Sequence, residues 1–321
     1  MKNPIEIKKI AKKTIKDEAT AINKLISSVN DNFAKCVELI YYSTGRVVIT
    51  GIGKSAIIAT KIVSTLNSTG TPAIFMHAAD AIHGDLGIIQ SEDVVICISK
   101  SGETPEIKIL IPLLKSRGNK LIALSGNINS YLAKQADYCI DVSVEKEACP
   151  NNLAPTSSTT NQLVMGDAIA VCLLECKGFT EKDFAKYHPG GVLGKKLYLR
   201  ASDIYVLNEK PFVNTNANIN EVILEISSKR LGVTVVLDNK KIVGIITDGD
   251  LRRMLHNNTD ISTLKAVDIM SKNPKIIQEN ELLVEILDLM RKNNITQVPI
   301  CSGEKYLGIV HLHDILKEGI L

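Results

Sequence analysis

The feature that most constrains how this chain folds is a regular alternation of short apolar runs and helical patterns between Arg46 and Val144. Five of the runs predict strands, because they are short, rich in β-branched residues and bounded by polar residues. They are Val47–Thr50, Ala73–Met76, Val94–Ile98, Leu121–Leu124 and Cys139–Val142. Helical patterns separate them at Ala56–Leu66, Ile107–Ser116 and Tyr131–Gln135, precede them before residue 46, and return at Leu163–Leu174. Strands that are apolar throughout are typical of parallel sheets covered on both faces, so we predict an α/β fold with a doubly wound, five-stranded parallel sheet flanked by helices.

An internal repeat occupies the chain after residue 198. The pair Asp203-Ile204 recurs as Asp268-Ile269, and the glycine at position 244 recurs at 308. Each copy contains a helix, two strands and a short helix; the longer elements are Asn220–Lys229, Val233–Leu237 and Lys241–Ile246 in the first copy and Glu281–Lys292, Gln297–Ile300 and Tyr306–Val310 in the second. Repeats of this size are stable when they bury their apolar faces against each other. We therefore expect a domain at residues 1–200, followed by a pair of α+β repeats at 201–262 and 263–321.

Size and composition exclude several classes of protein. With 321 residues the chain is long enough for two domains, and 45% hydrophobic with 23% charged residues is an ordinary globular balance. The net charge of +3 is spread along the chain, which disfavours nucleic-acid binding. No apolar run reaches the roughly 18 residues of a membrane helix and the polar start lacks a signal-peptide core, so we expect a cytoplasmic protein without a membrane segment. The seven cysteines are scattered without a C-x-x-C pair, which predicts reduced thiols.

A loop with the sequence TGIGKS, residues 50–55, follows the first predicted strand. It is not a P-loop, because the first glycine of that motif would fall on Val48. It is a poor dinucleotide-binding motif, because Ala56 stands where the third glycine belongs. What remains is a tight turn before a helix, with Lys54 as a cation and Ser55 as a hydroxyl donor. Helix amino termini favour anions, so the loop predicts a phosphate site.

Two further loops are rich in hydroxyl groups. The stretch ISKSGETPE at 98–106 and the stretch APTSSTT at 154–160 both precede predicted helices. Their candidate ligands are Ser99, Ser101 and Thr104 in the first and Ser157, Ser158 and Thr159 in the second. The alternative is that these side chains only cap their helices. Three such loops in one sheet domain favour a phosphate site, because ligands of parallel sheets bind at the carboxyl ends of the strands.

Five motifs together resemble those of the arabinose-5-phosphate isomerases. They are GIGKSA, STGTPAIFMHAADAIHGDLG, ISKSGETPE, EKEACPNNLAPTSSTTNQLVMGDA and HPGGVLGKKL, in this order. The resemblance covers nearly the whole chain and implies a sugar-isomerase (SIS) domain with N-terminal helices, followed by two CBS motifs. It also implies a homotetramer that interconverts D-ribulose 5-phosphate and D-arabinose 5-phosphate, the entry to 3-deoxy-D-manno-octulosonate (Kdo) for lipopolysaccharide or capsule.

Four residues match those tied to catalysis in this family: Lys54, Glu106, Glu147 and His188. We expect Glu147 to be the base that moves a proton between C1 and C2. Its alternative is an exposed loop carboxylate paired with Lys146. Glu106 is expected to act in catalysis or to stabilise its helix terminus, and His188 to open or protonate the sugar. Lys54 is expected to stabilise the enediolate or a phosphate oxygen.

The stretch HAADAIHGD contains two histidines, His77 and His83, which we expect to contact the substrate. Gly70 and Thr71, in the motif just upstream, are expected to do the same. The two histidines stand six apart, which is not the spacing of a helical zinc pair. The resemblance implies that His77 can take up Zn²⁺, and we expect such binding to be incidental or inhibitory. No cofactor is expected, because the enediol route requires none.

In CBS domains a G-h-h-[TS]-x-x-D stretch binds the ribose and phosphate of a nucleotide. Residues 244–250, GIITDGD, fit it with Thr247 and Asp250 in the binding positions. The second copy keeps the acid as Asp314 but has His311 in place of the hydroxyl. We therefore expect one competent site, for a nucleotide or CMP-Kdo, and the alternative is a purely structural pair.

Other functions remain open at this stage. SIS domains also occur in sugar-phosphate-sensing regulators, but those carry a helix-turn-helix domain, and only about 45 residues precede the first strand here. An isomerase of a hexose or hexulose phosphate, or a non-catalytic sensor, would share the same loops. In each case the expected partner is a small sugar phosphate, with no nucleic acid and no membrane.

Overall fold

The computed structural model describes residues 1–256 and 261–320. The chain divides into two compact units, Met1–Tyr187 and His188–Leu321. The helices of the first unit are α1 (Pro4–Lys24), α2 (Asp31–Tyr42), α3 (Lys54–Ser68), α4 (Ala78–Ala81), α5 (Pro105–Ser116), α6 (Tyr131–Gln135), α7 (Ser157–Cys176) and α8 (Glu181–Tyr187). Its strands are β1 (Val47–Gly51), β2 (Ala73–His77), β3 (Val94–Ser99), β4 (Lys120–Ser125) and β5 (Tyr138–Asp141).

The five strands form one sheet in the order β2-β1-β3-β4-β5, and all neighbouring pairs are parallel. This confirms the predicted doubly wound sheet, and every predicted strand is present within two residues of its expected ends. The chain passes from β1 to β2 on one side of β1 and then crosses to β3 on the other side. Loops diverge at such a switch point, and the crevice between them is the usual ligand site of an open parallel sheet.

Two apolar cores cover the two faces of this sheet, because successive strand residues point to opposite sides. Ile49 faces the core that contains Ile62 of α3 and residues of α7. Val48, its neighbour, faces the core that contains Leu110 of α5. Burying one such side chain contributes roughly 1.5–3 kcal/mol, so the sheet is a rigid platform for the loops at its edges.

The helices beside the sheet begin earlier than predicted. α3 starts at Lys54 rather than Ala56, α5 at Pro105 rather than Ile107, and α7 at Ser157 rather than Leu163. In each case the residues added at the start lie outside the apolar pattern, so periodicity does not report them. The short helices α4 and α8 were not predicted, since neither is long enough for a period to be visible.

The second unit contains the repeats. Its helices are α9 (Val192–Tyr198), α10 (Ala201–Tyr205), α11 (Ile219–Lys229), α12 (Asp248–His256), α13 (Ala266–Ile269), α14 (Leu283–Asn293) and α15 (Leu312–Lys317). Its strands are β6 (Phe212–Asn214), β7 (Val233–Asp238), β8 (Lys241–Thr247), β9 (Ser271–Lys272), β10 (Ile277–Gln278), β11 (Gln297–Ser302) and β12 (Lys305–His311). They form two mixed sheets, β6-β7-β8-β9 and β10-β11-β12.

The two repeats share an apolar core. Val233 and Val235 of the first repeat pack with Tyr306 and Ile309 of the second, and all four are buried. The hydroxyl of Tyr306 donates a hydrogen bond of 3.0 Å to the carbonyl oxygen of Pro211. The expectation that the repeats bury their faces against each other is therefore confirmed. The domain boundaries after residues 200 and 262 stay predictions. Among the helices in the described residues, none has the length and apolar character needed to cross a membrane.

Candidate active site

The loops that leave the carboxyl ends of the strands meet at one edge of the first unit's sheet. Gly51, at the end of β1, pairs in register with His77 of β2 and Ile98 of β3. A cavity of about 360 Å³ opens beside them. It is lined by Ile52, Lys54, Ser55, Ile98, Ser99, Lys100, Ser101, Thr104, Ile107, Pro155, Ser158, Thr159 and Gln162. The three hydroxyl-rich loops predicted to form one site thus line a single cavity, at the switch point of the sheet.

Three helices begin at this cavity, and none is capped by the side chain of the residue that precedes it. The residues before α3, α5 and α7 are Gly53, Thr104 and Thr156, and none of their side chains caps the helix that follows. Three other helices of the unit, α1, α2 and α6, are capped by the side chains of Asn3, Asn30 and Ser130. The interpretation that the hydroxyls serve only as helix caps is therefore wrong for these three helices. The amino termini of α3 and α5 therefore keep partial positive charge and hydrogen-bond donors that suit an anion, whereas at α7 the carboxylate of Glu147 already accepts from the amide of Ser158.

Glycine and serine shape the loop between β3 and α5. Gly102 has φ of +66°, and a Cβ atom there would lie 2.0 Å from the hydroxyl oxygen of Ser130. Its amide donates a hydrogen bond of 3.0 Å to the hydroxyl of Ser99, which is buried and lies 3.2 Å from the hydroxyl of Thr104. Ser99 therefore fixes the loop, while Ser101 and Thr104 are the more accessible hydroxyls of this side of the cavity.

The first turn of α3 supplies a cation and a second polar wall. Lys54 is the first residue of the helix and is exposed, and it makes no ion pair with other residues that the structure describes. The hydroxyl of Ser55 donates to the side-chain oxygen of Gln162 at 3.2 Å, and Gln162 is only 1% exposed. A buried amide in contact with the cavity is suited to recognising a sugar hydroxyl.

The carboxylate of Glu147 is buried and accepts five hydrogen bonds. Oε1 lies 2.6 Å from the ammonium of Lys100 and accepts from the hydroxyl of Ser158 at 2.5 Å. Oε2 accepts from the amides of Thr156 and Ser158 at 2.8 and 3.1 Å and from the hydroxyl of Thr156 at 3.2 Å. The alternative of an exposed carboxylate paired with Lys146 is wrong, because the side chain is fully buried and its cation is Lys100.

These contacts set the protonation state of Glu147. Burial alone would raise its pKa, but the hydrogen bonds from Lys100, Ser158 and the backbone amides outweigh burial and lower the pKa to about 2. The group is therefore a carboxylate throughout the physiological pH range. While all five donors are in place it is also a weak base, because each donor stabilises the charged form.

The other predicted residues lie in different places. Glu106 is half-buried on the first turn of α5, and it makes no hydrogen bond or ion pair with other described residues. His77 ends β2, its Nδ1 is buried without a hydrogen bond, and Asp80 lies 3.7 Å away. His83 is exposed after α4. His188 is the first residue of the second unit, and its carbonyl oxygen accepts a hydrogen bond from the amide of Gly191.

Gly70 and Thr71 do not line the cavity, and their contact with a substrate stays a prediction. They lie between α3 and the amino end of β2, whereas the cavity lies at the carboxyl ends of the strands. Lys177, just past the end of α7, donates to the hydroxyl of Thr71 at 2.8 Å and to the carbonyl oxygen of Gly70 at 3.2 Å. α7 begins at the cavity and is 20 residues long, which places its other end about 30 Å away.

The described residues do not fit a resident metal ion at His77. No group of three or more His, Cys, Asp or Glu side chains that could hold a metal occurs in the described ranges. His77 and Asp80 together would supply two ligands, whereas a zinc site uses three or four from the protein. Incidental zinc binding at His77 stays a prediction.

The predicted CBS residues lie beside two clefts of the second unit. A cleft of about 530 Å³ is lined by Thr247 and by Asn294 of the second repeat, among others. Asp250 does not line this cleft. Its carboxylate accepts from the amide and hydroxyl of Thr247 and pairs with Arg253 at 2.6 Å. A second cleft, of about 380 Å³, is lined by Asp314, and a nucleotide at either cleft stays a prediction.

Sequence reasoning missed two polar residues of the cavity, Lys100 and Gln162. Lys100 lies inside the loop ISKSGETPE, whose hydroxyl residues were the predicted ligands. A lysine between two such serines was a usable signal. Gln162 lies on the apolar helix α7, and only the fold shows that its side chain reaches the cavity.

Comparison with known protein families also assigns the two parts of the chain to different families. Residues 40–172 match the SIS domain family, and residues 201–257 and 266–320 match the CBS domain family. The chain is 44% identical to arabinose 5-phosphate isomerase KdsD of Yersinia pestis, over 99% of this chain and 97% of that protein. It is 44% identical to the same-named protein of Escherichia coli, over 98% and 97%. A solved E. coli structure in complex with arabinose 5-phosphate matches with a TM-score of 0.57 and 42% identity, over 59% of this chain and 100% of that one. On this full-length similarity, the chain belongs to the arabinose 5-phosphate isomerase family.

Proposed function

We propose that this protein interconverts D-ribulose 5-phosphate and D-arabinose 5-phosphate through an enediol intermediate. The observation that carries the proposal is the cavity at the switch point, which is lined by two lysines and several hydroxyls. Two of its lining residues, Lys100 and Ser158, bind the buried carboxylate of Glu147 directly behind the wall of the cavity. The full-length similarity to proteins named arabinose 5-phosphate isomerase supports the same reaction. A volume of about 360 Å³ is within the range of small-molecule sites.

The phosphate group would bind at the amino terminus of α5. Ser101 and Thr104 present hydroxyls there, and the helix terminus has no side-chain cap. This arrangement gives donors from both backbone and side chains, which is the usual recognition of a phosphate without a metal. Lys54, at the start of α3, would stabilise either a phosphate oxygen or the enediolate.

Glu147 would carry the proton. In the ketose-to-aldose direction its carboxylate takes a proton from C1, and the electron pair forms the C1–C2 double bond of the enediol as O2 is protonated. The carboxylic acid then returns the proton to C2, while O1 loses its proton and becomes the aldehyde oxygen. The product is an isomer of the substrate, so atoms and electrons balance without a cofactor.

Three further residues complete the proposal. Glu106 lies on the first turn of α5, beside the loop that binds the phosphate, and would assist proton transfer between the two oxygens. His188 would open or protonate the sugar, as the family resemblance implies. Any Zn²⁺ bound at His77 would be inhibitory rather than required.

The wider role follows from the family. We infer that the product enters the Kdo pathway in the cytoplasm, and the seven free cysteines suit a reducing compartment. We also infer a homotetramer, and a nucleotide or CMP-Kdo as the effector of the CBS pair. Calorimetric titration of each compound into the intact protein would test the effector, and a flat response to both would reject it.

A substrate panel tests the reaction. Purified protein is assayed with ribulose 5-phosphate, glucose 6-phosphate and a hexulose 6-phosphate at equal concentration. We expect kcat/KM to be highest for ribulose 5-phosphate by at least about 10²-fold, because a longer chain displaces the reacting carbons from Glu147. A preference for either six-carbon substrate would identify a different sugar-phosphate isomerase.

A further inference from the structure

The two oxygens of Glu147 are held by donors of different kinds. Oε2 is bound by the backbone amides of Thr156, which precedes α7, and of Ser158, in its first turn, together with the hydroxyl of Thr156. Oε1 is bound by the side chains of Ser158 and Lys100. Oε1 is therefore the oxygen that a rearrangement of side chains can release.

Lys100 is the donor best able to move. Its side chain is 45% exposed, while that of Glu147 is fully buried. It has a flexible four-carbon stem, and it lines the same cavity as the hydroxyls of Ser101 and Thr104. Its ammonium can therefore contact either the carboxylate or an anion bound in the cavity.

We propose that Lys100 is a positioning residue that covers Oε1 of Glu147 in the free protein and moves to the substrate's phosphate when that group binds. Phosphate binding then uncovers the base, so the protein acts only on a sugar that carries the anion. The inference rests on the proposed function and adds a residue that the family motif does not assign.

Electrostatics favours the exchange. A phosphate dianion attracts an ammonium more strongly than a single carboxylate does at the same distance. The positive groups in contact with Glu147 are Lys100 on the β3–α5 loop and the amino terminus of α7. Lys146 is exposed next to it in the chain, and Lys54 lines the same cavity as Lys100. Lys100 is the cation that contacts the carboxylate, so its departure restores basicity to Oε1 as the substrate arrives.

The test separates phosphate from sugar. D-Erythrulose corresponds to D-ribulose 5-phosphate without its phosphate-bearing carbon. NMR follows its isomerisation by wild type and Lys100→Met, with and without phosphite dianion. Lys120→Met is the matched control, because Lys120 pairs with Asp137 at 3.0 Å at the amino end of β4. Lys100→Arg retains the charge, and melting curves verify that each variant is folded.

Removing Lys100 should change the two rates in opposite directions. Without phosphite, Lys100→Met should isomerise erythrulose roughly 3- to 10-fold faster than wild type, because one charge-assisted hydrogen bond to the base is already absent. Phosphite should activate wild type and Lys120→Met about tenfold or more, but Lys100→Met less than about threefold. With ribulose 5-phosphate, Lys100→Met should show a raised KM, and Lys100→Arg should recover it.

Several results would overturn the proposal. They are a wild type that phosphite does not activate, equal activation of wild type and Lys100→Met, or a Lys100→Met variant slower than wild type on erythrulose alone. If Lys100→Met does not fold, loss of phosphite activation in Lys100→Arg would refute it equally. Failure of the proposed function itself is distinct, because wild type would then leave ribulose 5-phosphate unchanged.

Discussion

Replacing Glu147 by glutamine tests the base directly. The change keeps the shape of the side chain and an acceptor oxygen for the amides of Thr156 and Ser158, but removes the charge and the ability to accept a proton from carbon. Loss of a general base lowers turnover by typically 10²–10⁴-fold. We expect kcat of Glu147→Gln to fall at least about 10³-fold, while the Kd for ribulose 5-phosphate changes less than about threefold.

The same substitution has a cost in stability that the structure allows us to work out. The pKa of Glu147 is lowered from 4.5 to about 2. A group with a depressed folded-state pKa stabilises the fold above its unfolded pKa, and that contribution is lost as pH falls from about 4.5 to about 2. At 1.36 kcal/mol per pKa unit the contribution at neutral pH is about 3 kcal/mol. Because Lys100 is 45% exposed and water screens it, we expect Glu147→Gln to lower the free energy of unfolding by about 2–3 kcal/mol.

A matched control separates stability from chemistry. Asp93 is another fully buried carboxylate, paired with Arg46 at 2.9 Å, but it lies at the amino end of β3. Asp93→Asn should destabilise the first unit by a similar amount and keep kcat within about threefold of wild type. Turnover is measured by NMR, substrate binding by calorimetry, and stability by urea unfolding at pH 7 and pH 4. The difference between wild type and Glu147→Gln should shrink at the lower pH.

Two results would refute this reasoning. If Glu147→Gln retains more than about a tenth of wild-type kcat, Glu147 is not the base, and Glu106 becomes the next candidate. If Asp93→Asn loses turnover as severely while it remains folded, the effect of Glu147→Gln reports stability and not proton transfer.

Three further perturbations follow from the site. Gly102→Ala should lower the free energy of unfolding by about 1–3 kcal/mol and reduce kcat/KM, because its φ is positive and Ser130 occupies the space for a Cβ. Gly118 also has a positive φ but open space around it, so Gly118→Ala should leave kcat/KM unchanged. Urea unfolding and steady-state kinetics measure both variants. Lys54→Met should reduce kcat/KM by about 10²-fold through loss of a cation at the cavity, and a loss below threefold in steady-state assays would place Lys54 outside the site. Dialysis against EDTA should leave kcat within twofold, and added Zn²⁺ should inhibit wild type more than His77→Ala; loss of activity with EDTA, restored by a metal, would contradict this.

Much of the fold was predictable because a buried strand can be recognised from the apolar residues of its own short segment. Each of the five strands is a continuous apolar run, and buried parallel strands require such runs. The first turns of α3 and α7 were not predictable in the same way, because Lys54, Ser55, Ser158 and Thr159 line the cavity rather than a core. The polar residues that line the cavity therefore interrupt the apolar pattern from which the starts of these helices would be predicted.

The candidate site was predictable in its parts but not in its pairings. The hydroxyl loops could be assigned to one edge, because each follows or precedes an element whose direction the sheet fixes. The pairing of Lys100 with Glu147 could not, because the two are far apart in the chain and Lys146 is the nearer cation. Gly70 and Thr71 lie away from this cavity, since a residue just before a parallel strand lies at the opposite edge from one just after it.

The central claim is tested most directly by incubating the intact protein with D-ribulose 5-phosphate and EDTA and recording NMR spectra over time. The account predicts the anomeric signals of D-arabinose 5-phosphate, growing until both sugars reach equilibrium. If folded protein that binds the sugar phosphate produces no such signals, the claim that this chain is an arabinose 5-phosphate isomerase is contradicted.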